Sequence, residues 1–199
     1  MSEKDLASLI RELADADSSV RERAAAELFR LGSERIEPIM RTWLQDPGLA
    51  KYFAFGTRVP GITVGVAVEP LRFDQIRAAN GSPRLADVPA DQDAREFELE
   101  FRNRIRLDIL TSREPAGSGA IARYLQKSGE GIQQVELYVK DVGRATEILQ
   151  ARFGVQPVYP ATRPGANGTR VNFFLVAAPA GGKVLIELVE IPKAAEKPA

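Results

Sequence analysis

Neither cysteine nor histidine occurs anywhere in the 199 residues of this chain. The first absence excludes disulfides, zinc–thiolate sites and thiol nucleophiles. The second removes the side chain that titrates near neutral pH and the commonest imidazole metal ligand, so Ser-His-Asp and Cys-His catalysis cannot be built within the chain. Any ionic site has to be assembled from oxygen donors. An excess of charge is missing as well: 27 Lys+Arg balance 27 Asp+Glu, which argues against a nucleic-acid or membrane-surface binder. No apolar run approaches membrane-spanning length. The acidic, amphipathic opening MSEKDLASLIRELADADSS does not read as a secretory leader. The expectation is a cytoplasmic protein with neither nucleic acid nor membrane among its partners.

What the sequence does contain falls into two parts. From about Asp5 to Asp46 the pattern is helical, with Leu6, Leu9, Ile10 and Leu13 at helical spacing. The stretch DSSVRERAAAELFRLG offers Ser18 or Ser19 as N-cap and Gly32 as C-cap of a second helix. A third helix is expected over residues 33–45, ended by Pro47-Gly48. The turn aspartate, the Val-Arg pair and the paired alanines resemble part of a HEAT-type repeat. Residues 1–48 therefore read as a helical, HEAT-like segment, too short to be a stable solenoid alone. It is expected to dock on the rest of the chain or on a protein partner.

Strand patterns begin at Val59. GITVGVAVEP (61–70) and GIQQVELYVKD (131–141) both open Gly-Ile and run as strands toward a helix, and RIRLDIL (104–110) and KVLIELVE (183–190) are strands with one acid at an equivalent place. Two βαβββ copies account for this order. The second is complete: strand 131–139, helix 141–152, strands near 155–159, 169–177 and 183–190. The first is eroded, with a short helix near 72–79 and NGSPRLADVPADQDA as a long connection. The fold expected is α+β: the helical segment, then paired βαβββ modules over 59–192 forming a curved mixed sheet with a cleft, then a tail at 193–199. YPATRPGANGTR (159–170) reads as a loop that could cover the cleft or meet a partner.

This layout resembles the vicinal oxygen chelate superfamily, and most closely its methylmalonyl-CoA epimerases. GSGAIARYLQKSGEGIQQVEL (117–137) is similar to their linker helix and following strand, where GxGIHH is typical. VGVAV (64–68) is similar to their opening strand and GGKVLIELVE (181–190) to their closing one. The resemblance covers about 130 residues in family order.

Strand alternation locates a site independently. Val64, Val66 and Val68 form one face of the first strand, leaving Thr63, Gly65 and Ala67 on the other. The same parity separates Gln134, Glu136 and Tyr138 from Val135, Leu137 and Val139, and puts Gln133 on the apolar register. It places Arg104, Arg106 and Asp108 opposite Ile105, Leu107 and Ile109, and Glu187 opposite Ile186 and Leu188. Thr63, Asp108, Gln134 and Glu187 then converge on one cleft. The resemblance assigns metal ligands to those four positions, with Thr63 and Gln134 where the family has histidines. It also makes Glu187 a catalytic base and Asp91, in DQDAREFE, the second acid, although that stretch reads equally as an exposed acidic loop through Glu96. Arg104, Arg106, Glu136 and Tyr138 are the candidate ligand-binding residues.

Two readings of the oxygen set stay open: a polar cleft with no cofactor, which the loss of both imidazoles favours, or one hard cation such as Mg²⁺, Mn²⁺ or Ca²⁺. Two functions follow. One is a catalytically degenerate accessory or scaffolding subunit that binds a protein partner or an acyl-CoA-type ligand. The other is an active divalent-metal-dependent epimerase or lyase on an acyl-CoA or oxyacid. Pairing of two copies as a homodimer is left open.

Overall fold

A computed structural model of the chain describes residues 3–53, 61–178 and 181–191. The expected start of the sheet domain at Val59 and the tail at 193–199 lie outside the described residues. Helix α1 (Glu3–Glu12) leads into α2 (Ser18–Leu44) and the single turn α3 (Pro47–Ala50). Strand β1 (Ile62–Ala67) is followed by α4 (Pro70–Ala79), β2 (Arg95–Phe101) and β3 (Ile105–Thr111). Then come α5 (Ala120–Ser128), β4 (Gly131–Tyr138), α6 (Val142–Phe153), β5 (Arg163–Pro164), β6 (Arg170–Ala177) and β7 (Lys183–Glu190).

The seven strands form one mixed sheet in the order β2-β3-β1-β4-β7-β6-β5. β1 runs parallel to β3, which is antiparallel to β2, and β4 runs parallel to β7, which is antiparallel to β6. Two similar halves thus meet along the antiparallel β1–β4 pair, as the repeated sequence pattern predicts. Among the described residues the first half has no counterpart of β5. Its segment near Ala86 only touches the outer edge of β2, through one backbone bond from Ala86 N to the Glu96 carbonyl at 2.9 Å.

The segmentation of the N-terminal third differs from the sequence expectation. Residues 18–44 form one helix rather than two, capped by the Asp17 side chain instead of Ser18 or Ser19, and it passes through both Gly32 and Pro38. Gly32 is no C-cap. A Cβ there would lie 2.6 Å from both Val64 methyls, so the glycine lets the helix backbone press onto β1. Packing against the sheet carries the helix through residues that local propensity marks as ends.

The apolar residues of both helices are buried inside the chain. Ile10, Leu13, Ala24, Ala25 and Leu28 join Val64, Val66, Leu107 and Ile109 in the core of the first half. Ile36, Ile39, Met40 and Trp43 join Val135, Leu137, Ile186 and Leu188 in that of the second. The face that suggested docking is therefore covered by the chain's own sheet. Gly32→Val is expected to destabilise the protein by about 2–3 kcal/mol, since a β-branched side chain is forced against Val64; the shift in the urea midpoint measures it. No helix among the described residues is long and apolar enough to cross a membrane.

Candidate functional site

With α1, α2, α4 and α6 on one face, the side chains that alternate away from them line the inside of the curled sheet, where α5 packs at one side of the cavity. Register aligns them in two rows. Glu98, Asp108, Gly65 and Gln134 are successive neighbours across β2, β3, β1 and β4, while Thr63, Glu136, Glu187 and Phe173 are neighbours across β1, β4, β7 and β6. The cavity they floor has a volume of about 880 Å³, within the range of small-molecule sites. Thr63, Asp108, Gln134, Glu136, Tyr138 and Glu187 all line it and are all nine-tenths buried or more. The four residues that strand parity predicts to converge do so.

Parity fails within β4 at one residue. Gly65 pairs with Gln134 but Val66 pairs with Ile132, so Gln133 is the extra residue of a β-bulge. Ile132 takes the place on the apolar side, and Gln133 lines the cavity rather than the helix-packed face.

Hydrogen bonds knit the floor. The Gln134 amide donates from Nε2 to Glu187 Oε2 at 2.6 Å and reaches Glu136 Oε1 at 3.5 Å. Thr63 Oγ1 lies 3.4 Å from the Tyr138 hydroxyl. Burial dominates the electrostatics. It pushes Glu136 up to about 8, with the neighbouring carboxyl of Glu96 adding to the rise. Glu96 is raised to about 7 by burial. Asp108 and Glu187 are both held well above the usual carboxylate range, first by burial and then by nearby acids. Burial likewise raises the Tyr138 hydroxyl.

Glu96 and Glu98 are cleft residues that sequence reasoning missed. They sit on β2 and line the cavity, instead of an exposed acidic loop. The signal was present: in REFELEF the side chains of Phe97 and Leu99 enter the core while the glutamates alternate with them. Asp91 lines the rim, where it is ion-paired with Arg163, its side chain 66% exposed. Asp93 is a structural group, accepting from Ser112 Oγ at 2.5 Å and from the Glu114 amide at 3.0 Å. Arg106 faces the cavity, paired with Glu98 at 2.8 Å and Glu100 at 3.3 Å. Arg104 does not. It belongs to a short 3-10 turn (Arg102–Arg104) with left-handed backbone at Asn103 and Arg104, which takes its side chain off the strand register.

Loops from the two halves meet across the cavity. The Asp87 amide donates to Asn167 Oδ1 at 3.0 Å and the Asn167 amide to the Asp87 carbonyl at 2.9 Å. Gln92 Nε2 donates to the Pro164 carbonyl at 2.8 Å. Arg163, bound to Asp91, also stacks over the Tyr159 ring at 4.4 Å. The loop at 159–170 is thus one side of a bridge over the cleft, and Asp87, Asp91 and Gln92 stand on the other.

As placed, the side chains at these positions are not turned as ligands of a divalent cation. Gln134 turns its NH₂ group, which cannot ligate a metal, toward Glu187, and the Thr63 hydroxyl is engaged with Tyr138. Among the described residues no three acidic side chains are grouped so as to hold a metal ion. What the arrangement offers chemically is a set of buried carboxyls whose hold on a proton is strengthened by burial, one of them bonded to an amide.

No family profile matches the sequence and no curated protein matches it. Solved structures do. A methylmalonyl-CoA epimerase from Mycobacterium tuberculosis is 31% identical with a TM-score of 0.55, over 72% of this chain and 96% of its own. A hypothetical protein from Bacillus halodurans C-125 is 27% identical with a TM-score of 0.54, over 68% of this chain and 96% of its own. A methylmalonyl-CoA epimerase in complex with methylmalonyl-CoA and NH₄⁺ is 25% identical with a TM-score of 0.50, over 70% of this chain and 99% of its own.

Proposed function

We propose, from the premise that this chain belongs to the methylmalonyl-CoA epimerase family of the vicinal oxygen chelate fold, that its cleft binds an acyl-CoA-type thioester without catalysing the metal-assisted epimerisation that the family resemblance implies. Family members of known structure hold such ligands, methylmalonyl-CoA among them. The cavity here has the volume for the acyl part, and Arg84, Arg123 and Arg163 on its lining supply cations for an anionic carrier arm.

One observation carries the loss of epimerisation: the amide of Gln134, at a family histidine position, is hydrogen-bonded to Glu187. Removing a proton beside a thioester creates an enolate whose oxygen needs a strong electrostatic partner. The groups on this floor are carboxyls raised by burial, and any of them that ionises would oppose that negative charge. Glu187 and Glu96 could each carry a proton, yet neither stabilises the enolate as a cation would. An accessory role beside a partner protein is the companion proposal. Because the apolar faces of α1 and α2 lie against the sheet, such a partner would meet their charged outer faces, where Glu27, Arg30 and Glu34 are paired.

Two measurements on the full chain test the reading. Calorimetric titration with methylmalonyl-CoA is expected to show one-to-one binding. Deuterium incorporation at the α-carbon, followed by NMR with and without added Co²⁺, is expected to match a protein-free control. Incorporation well above that control would overturn the loss of epimerisation, and a flat calorimetric titration would overturn the ligand class.

A further inference from the structure

We infer that Gln134 is the positioning residue for Glu187, its amide holding by hydrogen bonds, in the place of a family histidine, the carboxylate that the family resemblance assigns to a cation. Three independent features of the fold build this strut. The first is the β-bulge: with Gln133 as the extra residue, Gln134 is left opposite Gly65 at the centre of the floor. The second is Gly65 itself, which has no side chain where one would collide. A Cβ there would lie 2.6 Å from Gln134 Cγ and 3.4 Å from its Cδ, so the amide occupies room that only glycine leaves. The third is the pair of acceptors. One amide nitrogen reaches Glu187 Oε2 at 2.6 Å and Glu136 Oε1 at 3.5 Å, and its two hydrogens match two neighbouring acids.

Burial makes the bond decisive. Gln134 is 7% exposed and Glu187 9%, so water from the cavity has little access to either group, and breaking the bond would leave both poorly satisfied. An imidazole is shorter and presents a lone pair to a cation. The longer amide presents hydrogens to a carboxylate. The exchange at position 134 therefore replaces a metal-centred arrangement with one held by protons, and it keeps Glu187 fixed in the cleft. The inference rests on the family assignment and not on the thioester reading, so a thioester titration that fails would leave it standing.

The test is side-chain amide NMR on the ¹⁵N-labelled full chain. The Gln134 NH₂ is expected to exchange slowly with solvent, with one proton shifted downfield. Glu187→Leu is expected to abolish both the shift and the protection. Gly65→Ala is expected to do the same by displacing the amide, although it alters neither bonded group. Thermal melts of each variant verify that it folds. A Gln134 amide that exchanges freely in the native chain, or one indifferent to Glu187→Leu, would overturn the inference. Cobalt titration followed by visible absorption gives the complementary result. The native chain is expected to show no d–d bands, and Thr63→His with Gln134→His is expected to bring in one equivalent of Co²⁺. Stoichiometric uptake by the native chain, or none by the folded double variant, would count against an amide standing in the metal's place.

Discussion

A chain that begins at Asp46 is expected not to fold. Seven large apolar side chains of α1, α2 and the turn between them are buried at 6% exposure or less: Ile10, Leu13, Leu28, Ile36, Ile39, Met40 and Trp43. Burial of such groups stabilises by about 1.5–3 kcal/mol each, or on the order of 10–20 kcal/mol together. A whole domain is stable by only about 5–15 kcal/mol. The truncation would also bare the sheet on both sides of the β1–β4 seam, because α2 covers the cores of both halves. The expected result is an aggregating species with no cooperative melt and a lost near-UV circular dichroism signal. A truncated chain that melts cooperatively with native ellipticity would show that the helices are an appendage, as a free docking module would be.

The second large effect is a loss of stability as the pH rises. Glu136 in the folded chain keeps its proton up to about pH 8, while an unfolded glutamate releases it near 4.5. Between those values the folded state binds more protons, so each step up in pH favours unfolding. The stability present below pH 4.5 is lost progressively until the pH passes about 8. The cause is burial among other carboxyls, and the size is on the order of 5 kcal/mol for Glu136 alone. Glu96, raised to about 7, acts in the same sense over a narrower range. Guanidinium midpoints measured from pH 5 to pH 8.5 are expected to fall steadily, and Glu136→Gln is expected to flatten that fall and raise the midpoint at pH 8.5. A midpoint that is level or climbs across this range in the native chain would contradict a floor of buried, proton-carrying acids.

The second half of the fold was legible in the sequence because its periodicities are undisturbed apart from one bulge in β4. β4, α6, β6 and β7 fall close to where alternation and capping place them, and two-residue parity alone brings Gln134 and Glu187 together. The strand expected near 155–159 is reduced to one bridge, Pro157 with Phe174, while β5 forms at Arg163–Pro164 inside the expected loop. The remaining errors share a cause: a local signal was answered by a distant partner. Gly32 reads as a helix end until Val64, far along the chain, is seen to require it. Parity at Gln133 is broken by a bulge that only the pairing with β1 reveals. β2 is masked by its three glutamates, which look like an exposed run until the inward row of Phe97 and Leu99 is recognised.

The bridge of loops over the cleft governs time as well as space. Under the thioester proposal, a ligand on the carboxyl floor would leave past the two bonds between Asp87 and Asn167, the Gln92–Pro164 bond and the Arg163–Asp91 ion pair. Arrival and departure are then both paced by the opening of this bridge. Added salt, which screens the exposed Arg163–Asp91 pair, is expected to loosen the bridge and to weaken the hold of the cleft arginines on an anionic ligand together. For a ligand held there, residence would then depend on the strength of this bridge as well as on the contacts with the floor.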